Sequence, residues 1–167
     1  DFCLSRGLGD VYKRQDRALE LRPRDADACL AKGTALAMLG RHGEAIGCYD
    51  KVLEINPRHA GALSYRGFAL NELGRYDEAL RSFDGALEMN PRYSEAWRGK
   101  GVAFGQLGKY RDALGCFDRA LEIDPRDAYA WINKGMVLYQ LGKLDEASRC
   151  FNKAVEIDPT LRKMLGW

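Results

Sequence analysis

The segment LGKYRDALGCFDRALEIDPR at residues 107–126 has three close copies elsewhere in the chain. The copies begin at Leu39, Leu73 and Leu141, so successive copies are 34 residues apart. The five prolines, at positions 23, 57, 91, 125 and 159, keep the same spacing. A fixed period of this length predicts a stacked array, in which each unit buries its apolar side against its neighbours.

Each unit is predicted to contain two helices joined by a tight turn. Apolar residues recur at helical spacing in residues 94–107 and again in residues 111–123. Gly108 separates the two segments, as expected where a helix ends in the left-handed conformation that glycine adopts at low cost. Asp124 and Pro125 end the second helix, because proline disfavours helix in the preceding residue and has no amide hydrogen. We call the first helix of each unit helix A and the second helix B.

A glycine occurs in the middle of every helix A, at positions 33, 67, 101 and 135. Glycine in a helix interior costs about 1 kcal/mol relative to alanine. Its recurrence therefore predicts that two helices approach closely at this point, where a side chain would collide. Phe117 and Ala120 form a large and small pair on one face of helix B, as interdigitated packing requires.

Taken together, these positions resemble the tetratricopeptide repeat. The matching residues of the third copy are Trp97, Gly101, Phe104, Gly108, Tyr110, Ala113, Phe117, Ala120 and Pro125. The resemblance implies an all-α fold, a right-handed α-solenoid of antiparallel helix pairs that forms the tetratricopeptide superhelix. It also implies a protein–protein interaction module that acts as an adaptor or scaffold.

The repeat predicts how the chain is divided. Four full repeats are expected at residues 26–59, 60–93, 94–127 and 128–161, after a helix B remnant at residues 16–25. Residues 162–167 would be a truncated next helix or a cap. Residues 1–15 fit no part of the repeat and resemble an adapter-derived tail at the end of a sequence read. We therefore expect them to be a non-native or disordered tail.

A basic residue precedes each mid-helix glycine, where the family usually has leucine: Lys32, Arg66, Lys100 and Lys134. Two interpretations stay open. The aliphatic stems could lie along apolar surface while the charged heads pair with carboxylates of helix B. The first candidate partners are Glu54, Glu88, Glu122 and Glu156, and the others are Asp50, Asp84 and Asp118. Alternatively, the heads are simply solvated.

Composition argues against several kinds of partner and cofactor. A net charge of +2 does not favour nucleic acid or an anionic membrane, and no apolar run approaches the roughly 20 residues of a membrane span. Cys48, Cys116 and Cys150 recur once per repeat and do not converge, so we expect no metal, no cofactor and a reducing, cytoplasmic location. A targeting signal upstream of Asp1 would change the last expectation.

The sequence also gives no support to an enzyme. His42 occupies the position of a recurring tyrosine, and His59 follows Pro57 in a linker. Neither has a nucleophile placed beside it. The glycines follow the repeat period, whereas a phosphate-binding loop would need a strand, loop and helix in that order.

The family resemblance implies that the A helices line a concave inner face that binds a peptide of a partner protein. It assigns five positions of each helix A to this inner face, namely Asp27, Leu30, Thr34, Ala37, Met38; Gly61, Ser64, Phe68, Asn71, Glu72; Glu95, Arg98, Val102, Gly105, Gln106; and Tyr129, Ile132, Met136, Tyr139, Gln140. From these we select ten as the predicted peptide-binding residues, namely Leu30, Thr34, Phe68, Asn71, Arg98, Val102, Tyr129, Ile132, Met136 and Tyr139.

The inner-face positions are mostly apolar, and their few charges are predominantly acidic. An apolar segment with basic or neutral flanks is therefore the expected ligand. The alternative is a structural array that self-associates end to end and leaves no free peptide groove. Residues 160–167 would then be the contact, since Met164, Leu165 and Trp167 are apolar residues at the end of the array.

Overall fold

The computed structural model describes residues 25–164, which form helices joined by short turns and contain no strand. The helices are α1 (Ala26–Met38), α2 (His42–Ile55), α3 (Ala60–Glu72), α4 (Tyr76–Met89), α5 (Ser94–Gln106), α6 (Tyr110–Ile123), α7 (Ala128–Gln140), α8 (Leu144–Ile157) and α9 (Leu161–Met164). The predicted tail at residues 1–15, nearly all of the predicted helix B remnant at 16–25, and residues 165–167 lie outside this described part.

The helices occur in consecutive pairs, and a glycine makes the turn inside each pair. After α1, for example, Gly40 has a φ of 74°, and the Arg41 amide donates to the Leu36 carbonyl at 2.9 Å. Gly74, Gly108 and Gly142 repeat this left-handed turn. A residue with a Cβ would be strained there, so the glycine series explains why helix A always ends at the same point.

The linkers between pairs are built from side-chain hydrogen bonds. Each helix B is followed by Asn or Asp in extended conformation, and the carboxylate of Asp124, for instance, accepts from the Arg126 amide at 3.0 Å. The next helix A is then capped by Asp25 before α1, by Asp127 before α7, and by His59 Nδ1 before α3. These caps satisfy amides that the first helical turn leaves without partners.

The chain divides into two compact units, one ending at Pro91 and the other beginning at Arg92. In the described part of unit 1, α2 packs against both α1 and α3, and α4 packs against α3. In unit 2, α6 packs against α5 and α7, while α8 packs against α7 and the short α9. The B helices α2 and α6 are thus each held between two A helices, and α8 is held between α7 and α9.

The predicted close approach inside each pair is confirmed. A Cβ added to Gly101 would lie 2.6 Å from Cε1 of Phe117, and one added to Gly67 would lie 2.7 Å from Cε1 of Phe83. The rings of Tyr49 and Phe151 stand equally close to the glycines of their own pairs. The aromatic ring of helix B therefore fills the space of the missing side chain of helix A.

Two of the four basic residues, Arg66 and Lys134, pair with aspartates of helix B, which were the second choice among the expected partners. Arg66 Nε lies 2.7 Å from Asp50 Oδ1, and Lys134 Nζ lies 2.6 Å from Asp118 Oδ1. In both pairs the aspartate belongs to helix B of the preceding repeat. The prediction of a glutamate partner is wrong at these sites, because Glu122 instead pairs with Arg119 one turn earlier on the exposed side of α6.

Arg66 makes a further contact that ties three helices together. Its Nη1 donates to Ser82 Oγ on α4 at 2.7 Å, while its Nε donates to Asp50 on α2. The planar guanidinium can serve both partners because it carries donors in several directions. One residue of α3 thereby links the helix B of its own pair to the helix B before it.

The glycine–ring contact leads to a stability prediction. Gly101→Ala should destabilise the protein by about 1–3 kcal/mol, because the new methyl group collides with the buried Phe117 ring. This loss should appear although alanine is the better helix former. Chemical denaturation followed by circular dichroism measures it.

The matched control is Gly115→Ala in α6. A Cβ at Gly115 meets nothing within 4 Å, so this change should stabilise the protein by up to about 1 kcal/mol. Equal stability of the two variants would contradict the packing explanation.

Candidate peptide-binding faces

In unit 1, helices α1 and α3 border an open pocket of about 460 Å³. Its lining is mainly apolar and consists of Asp27, Leu30, Ala31, Thr34, Ala35, Met38 and Tyr65. Met38 is 63% exposed and Tyr65 is 39% exposed, so both side chains are accessible at the surface. Among the described residues of this lining, Asp27 alone carries a formal charge, and it is exposed to solvent.

A buried tyrosine lies next to the unit 1 pocket. Tyr49 stands where the other repeats have phenylalanine, and its ring centre lies 5.9 Å from that of Tyr65, which lines the pocket. The Thr34 hydroxyl donates to the Leu30 carbonyl at 3.0 Å. Burial raises the pKa of Tyr49.

In unit 2, helices α5 and α7 border a pocket of about 300 Å³. It is lined by Gly101, Val102, Gly105, Gln106, Tyr110, Phe117, Asn133, Met136, Val137 and Gln140. Within the described part of the chain, no lining residue is charged, and Gln106, Asn133 and Gln140 carry side-chain amides. The pocket therefore combines an apolar lining with neutral groups that can both donate and accept hydrogen bonds.

A second pocket of unit 2 is lined mostly by polar residues, and two of them form an ion pair. Arg98 Nε lies 2.9 Å from Asp127 Oδ2, and the Arg98 guanidinium carbon lies 6.0 Å from the centre of the Tyr129 ring. Asp127 Oδ1 also accepts from the Ala130 amide at the start of α7. One carboxylate thus caps α7 and holds Arg98, so Arg98 is already engaged within the protein.

The position of Arg98 is occupied by an apolar residue in the next repeat. Ile132, which follows Arg98 by one repeat, is buried in a cluster with Ala128, Ala154 and Leu161. Leu161 in turn follows Asp127 by one repeat. An ion pair in one repeat is therefore replaced by an apolar contact in the next.

The structure places the ten predicted peptide-binding residues in different environments. Tyr129, Met136 and Tyr139 are exposed; Leu30, Thr34, Phe68, Arg98 and Val102 are half-buried; Asn71 and Ile132 are buried. Leu30 and Thr34 share the unit 1 pocket, and Val102 and Met136 share the uncharged pocket of unit 2. Phe68 packs edge-on against the core ring of Phe83, with ring centres 5.2 Å apart.

Some pocket residues were absent from the ten. Tyr65 lies three residues before Phe68, and Asn133 lies three residues before Met136, so each is one helical turn from a selected residue. Extending the selection by one turn would have included them. Val137 belongs to the buried cluster of Ala113 and Phe117 and also lines the unit 2 pocket, so it resembled a core residue in sequence.

Within residues 25–164, no group of three or more His, Cys, Asp or Glu side chains could hold a metal ion. Cys29, Cys48, Cys116 and Cys150 are buried. Burial raises the pKa of the Cys29 and Cys150 thiols. No helix between Ala26 and Met164 is long and apolar enough to cross a membrane.

Comparison with known families identifies the class of protein. Three family models described as tetratricopeptide repeats match residues 26–59, 58–126 and 100–161. Together the matches extend from the first described helix to α9. The chain therefore belongs to the tetratricopeptide repeat family, and its all-α solenoid fold class is confirmed.

Solved structures with the same fold cover most of the chain. A crystal structure of MamA has a TM-score of 0.78 at 22% identity and covers 95% of this chain and 94% of its own. TTC0263, a thermophilic tetratricopeptide protein in Thermus thermophilus, has a TM-score of 0.79 at 23% identity, with coverages of 89% and 81%.

A third structure bears on binding. YrrB, described as a tetratricopeptide protein with an unusual peptide-binding site, has a TM-score of 0.69 at 26% identity and covers 92% of this chain and 79% of its own. No curated protein sequence matches the chain.

The burial of Tyr49 leads to a prediction for the pH dependence of stability. Because burial raises its pKa, Tyr49 holds its proton more strongly in the folded chain than in the unfolded chain. This contribution to the free energy of unfolding is complete below about pH 10, the usual pKa of tyrosine, and falls as the pH rises further. Tyr49→Phe should make the fall measurably smaller. An identical alkaline decline in both proteins would exclude Tyr49 as its source.

Proposed function

We propose that this chain is an adaptor or scaffold that binds an apolar peptide segment of a partner protein on the inner faces of its A helices. Membership of the tetratricopeptide family makes the chain a protein–protein interaction module. The observation that carries the peptide proposal is that each unit has an open, mainly apolar pocket between successive A helices. The peptide-binding site described for YrrB adds support from a protein of the same fold.

The charges around the pockets support the predicted flanks of the ligand. Asp27 is exposed at the unit 1 pocket, and Glu72 is exposed at an inner-face position of α3. The positive charge of Arg98 is balanced by Asp127. A basic residue beside the apolar segment would therefore meet carboxylates in unit 1, whereas the unit 2 pocket has no charged lining and suits a neutral stretch.

End-to-end self-association through residues 160–167 has less support. Leu161 packs against Ile132 and Ala154, so part of the face that a second copy would need is already covered. Asn152 stands one repeat after Asp118, whose carboxylate pairs with Lys134 of the following helix A. A second copy that docked α1 there would bring Lys32 against an uncharged amide and would gain no ion pair.

Two further expectations remain predictions. Proteins of this family generally act by binding and not by catalysis, which agrees with the absence of an enzyme motif in the sequence. The cytoplasmic location rests on the spacing of the cysteines along the sequence. Neither expectation is needed for the binding proposal.

The test uses a fluorescein-labelled twelve-residue peptide with a central Leu-Leu pair in a Gly/Ser host and one flanking Lys on each side. Met38→Ala in unit 1 and Met136→Ala in unit 2 should each weaken binding at the pocket of its own unit about tenfold or more in fluorescence polarisation, because each removes an exposed apolar side chain from the lining. Replacing the flanking Lys by Asp should weaken it in the wild type.

The matched control is Leu144→Ala, which removes a 57% exposed apolar side chain on α8, away from the residues that line either pocket. Binding of this variant should be unchanged. Equal affinity of the wild type and the three variants for the peptide would exclude the inner faces as the binding site. Gel filtration at several concentrations examines the alternative, and a mass that rises with concentration would favour self-association.

A further inference from the structure

We infer that Gly105 determines ligand specificity in unit 2, by leaving room for a branched aliphatic side chain of an uncharged peptide segment. The inference rests on the proposed function and deepens it. It names one residue and one class of ligand side chain for one of the pockets.

Packing accounts for the mid-helix glycine series but not for Gly105. A Cβ at Gly101 would lie 2.6 Å from the ring of Phe117, which forbids a side chain. A Cβ at Gly105 would lie 3.5 Å from Cγ2 of Val137, an ordinary van der Waals contact. Alanine would therefore fit at position 105 and would form helix better than glycine does.

The space beside Gly105 belongs to the unit 2 pocket. Gly105 lies on α5 one turn after Val102, another lining residue, and faces Val137 of α7. Repeats one and four carry Ala37 and Tyr139 at the equivalent position. In unit 2, α5 therefore has no side chain at this position. At the equivalent position of α7, the Tyr139 side chain is 60% exposed.

The chemistry of the pocket selects against a charged occupant. Val102 and the 56% exposed Met136 provide apolar surface, and none of the described lining residues carries a formal charge. A Lys or Asp side chain placed there would lose hydration and find no ion-pair partner, which is unfavourable. An aliphatic side chain would instead remove apolar area of both partners from water, which favours binding.

The amides explain how the surrounding peptide would be held. Gln106, Asn133 and Gln140 line the same pocket. Each amide has both donor and acceptor atoms, so it can bond to the N–H or the carbonyl of an extended backbone without regard to the side chains. The apolar walls would then select the side chain, while the amides bind the main chain.

The experiment compares two substitutions of the same type. Gly105→Ala and Gly115→Ala each replace a helical glycine by alanine, but only Gly105 lines the pocket. Both variants should unfold at equal or higher urea concentration than the wild type. Gly105→Leu is added as a larger obstruction, and its folding is checked by circular dichroism.

The probes are labelled dodecapeptides with a neutral Gly/Ser host and one varied pair of central residues, Leu-Leu, Ala-Ala, Lys-Lys or Asp-Asp. We expect the wild type and Gly115→Ala to bind the Leu peptide about tenfold more tightly than the Ala peptide. Gly105→Ala should reduce this preference severalfold, and Gly105→Leu should abolish it. Methyl NMR signals of Val102 and Val137 should shift when the Leu peptide binds to the wild type.

Two failures are distinguishable. If no peptide of either panel binds the wild type, the proposed function fails and this inference fails with it. If the Leu peptide binds but its preference over the Ala peptide is the same in Gly105→Ala as in Gly115→Ala, only the role of Gly105 is wrong. Methyl shifts confined to residues outside the unit 2 pocket would also overturn it.

Discussion

The contact between the mid-helix glycine of helix A and the aromatic ring of helix B is the constraint on which the rest of this protein depends. Because a Cβ at Gly101 would lie only 2.6 Å from the ring of Phe117, the two helices of a pair can approach closely only where the side chain is absent. The Phe117 ring is then almost completely buried together with Ala113 and Val137. This packing orients each pair, and the glycine turn between the helices preserves the orientation from repeat to repeat.

Successive pairs are joined by contacts whose chemistry varies more than their position. Arg66 and Lys134 reach back to aspartates of the preceding helix B. Arg98 and Asp127 form an ion pair at the positions where Ile132 and Leu161, one repeat later, form an apolar contact. Neither contact leaves a buried charge without a partner. A repeat position can therefore keep its role in joining two helix pairs while its residue type changes.

The A helices border an apolar pocket beside Asp27 in unit 1 and an amide-bearing pocket in unit 2. The described linings of the two pockets differ in charge although the repeats share one sequence pattern. Under the proposed function, exposed residues such as Met38 and Met136 would contribute to ligand preference. The glycine–ring pairs hold the helices together, and one of them, Gly101 and Phe117, also lines the unit 2 pocket.

The sequence by itself determined the all-α class and the pairing of helices around a glycine turn in the described part, because the 34-residue period places glycines and prolines where only certain backbone conformations are allowed. It also predicted the close helix approach at Gly101. Only the tertiary structure decided that Asp50 and Asp118, not the glutamates, pair with Arg66 and Lys134, and that Ile132 is buried. Those outcomes depend on which side chains of neighbouring helices come into contact. The spacing of residues along the sequence predicts the face of a helix but not the distance between two helices.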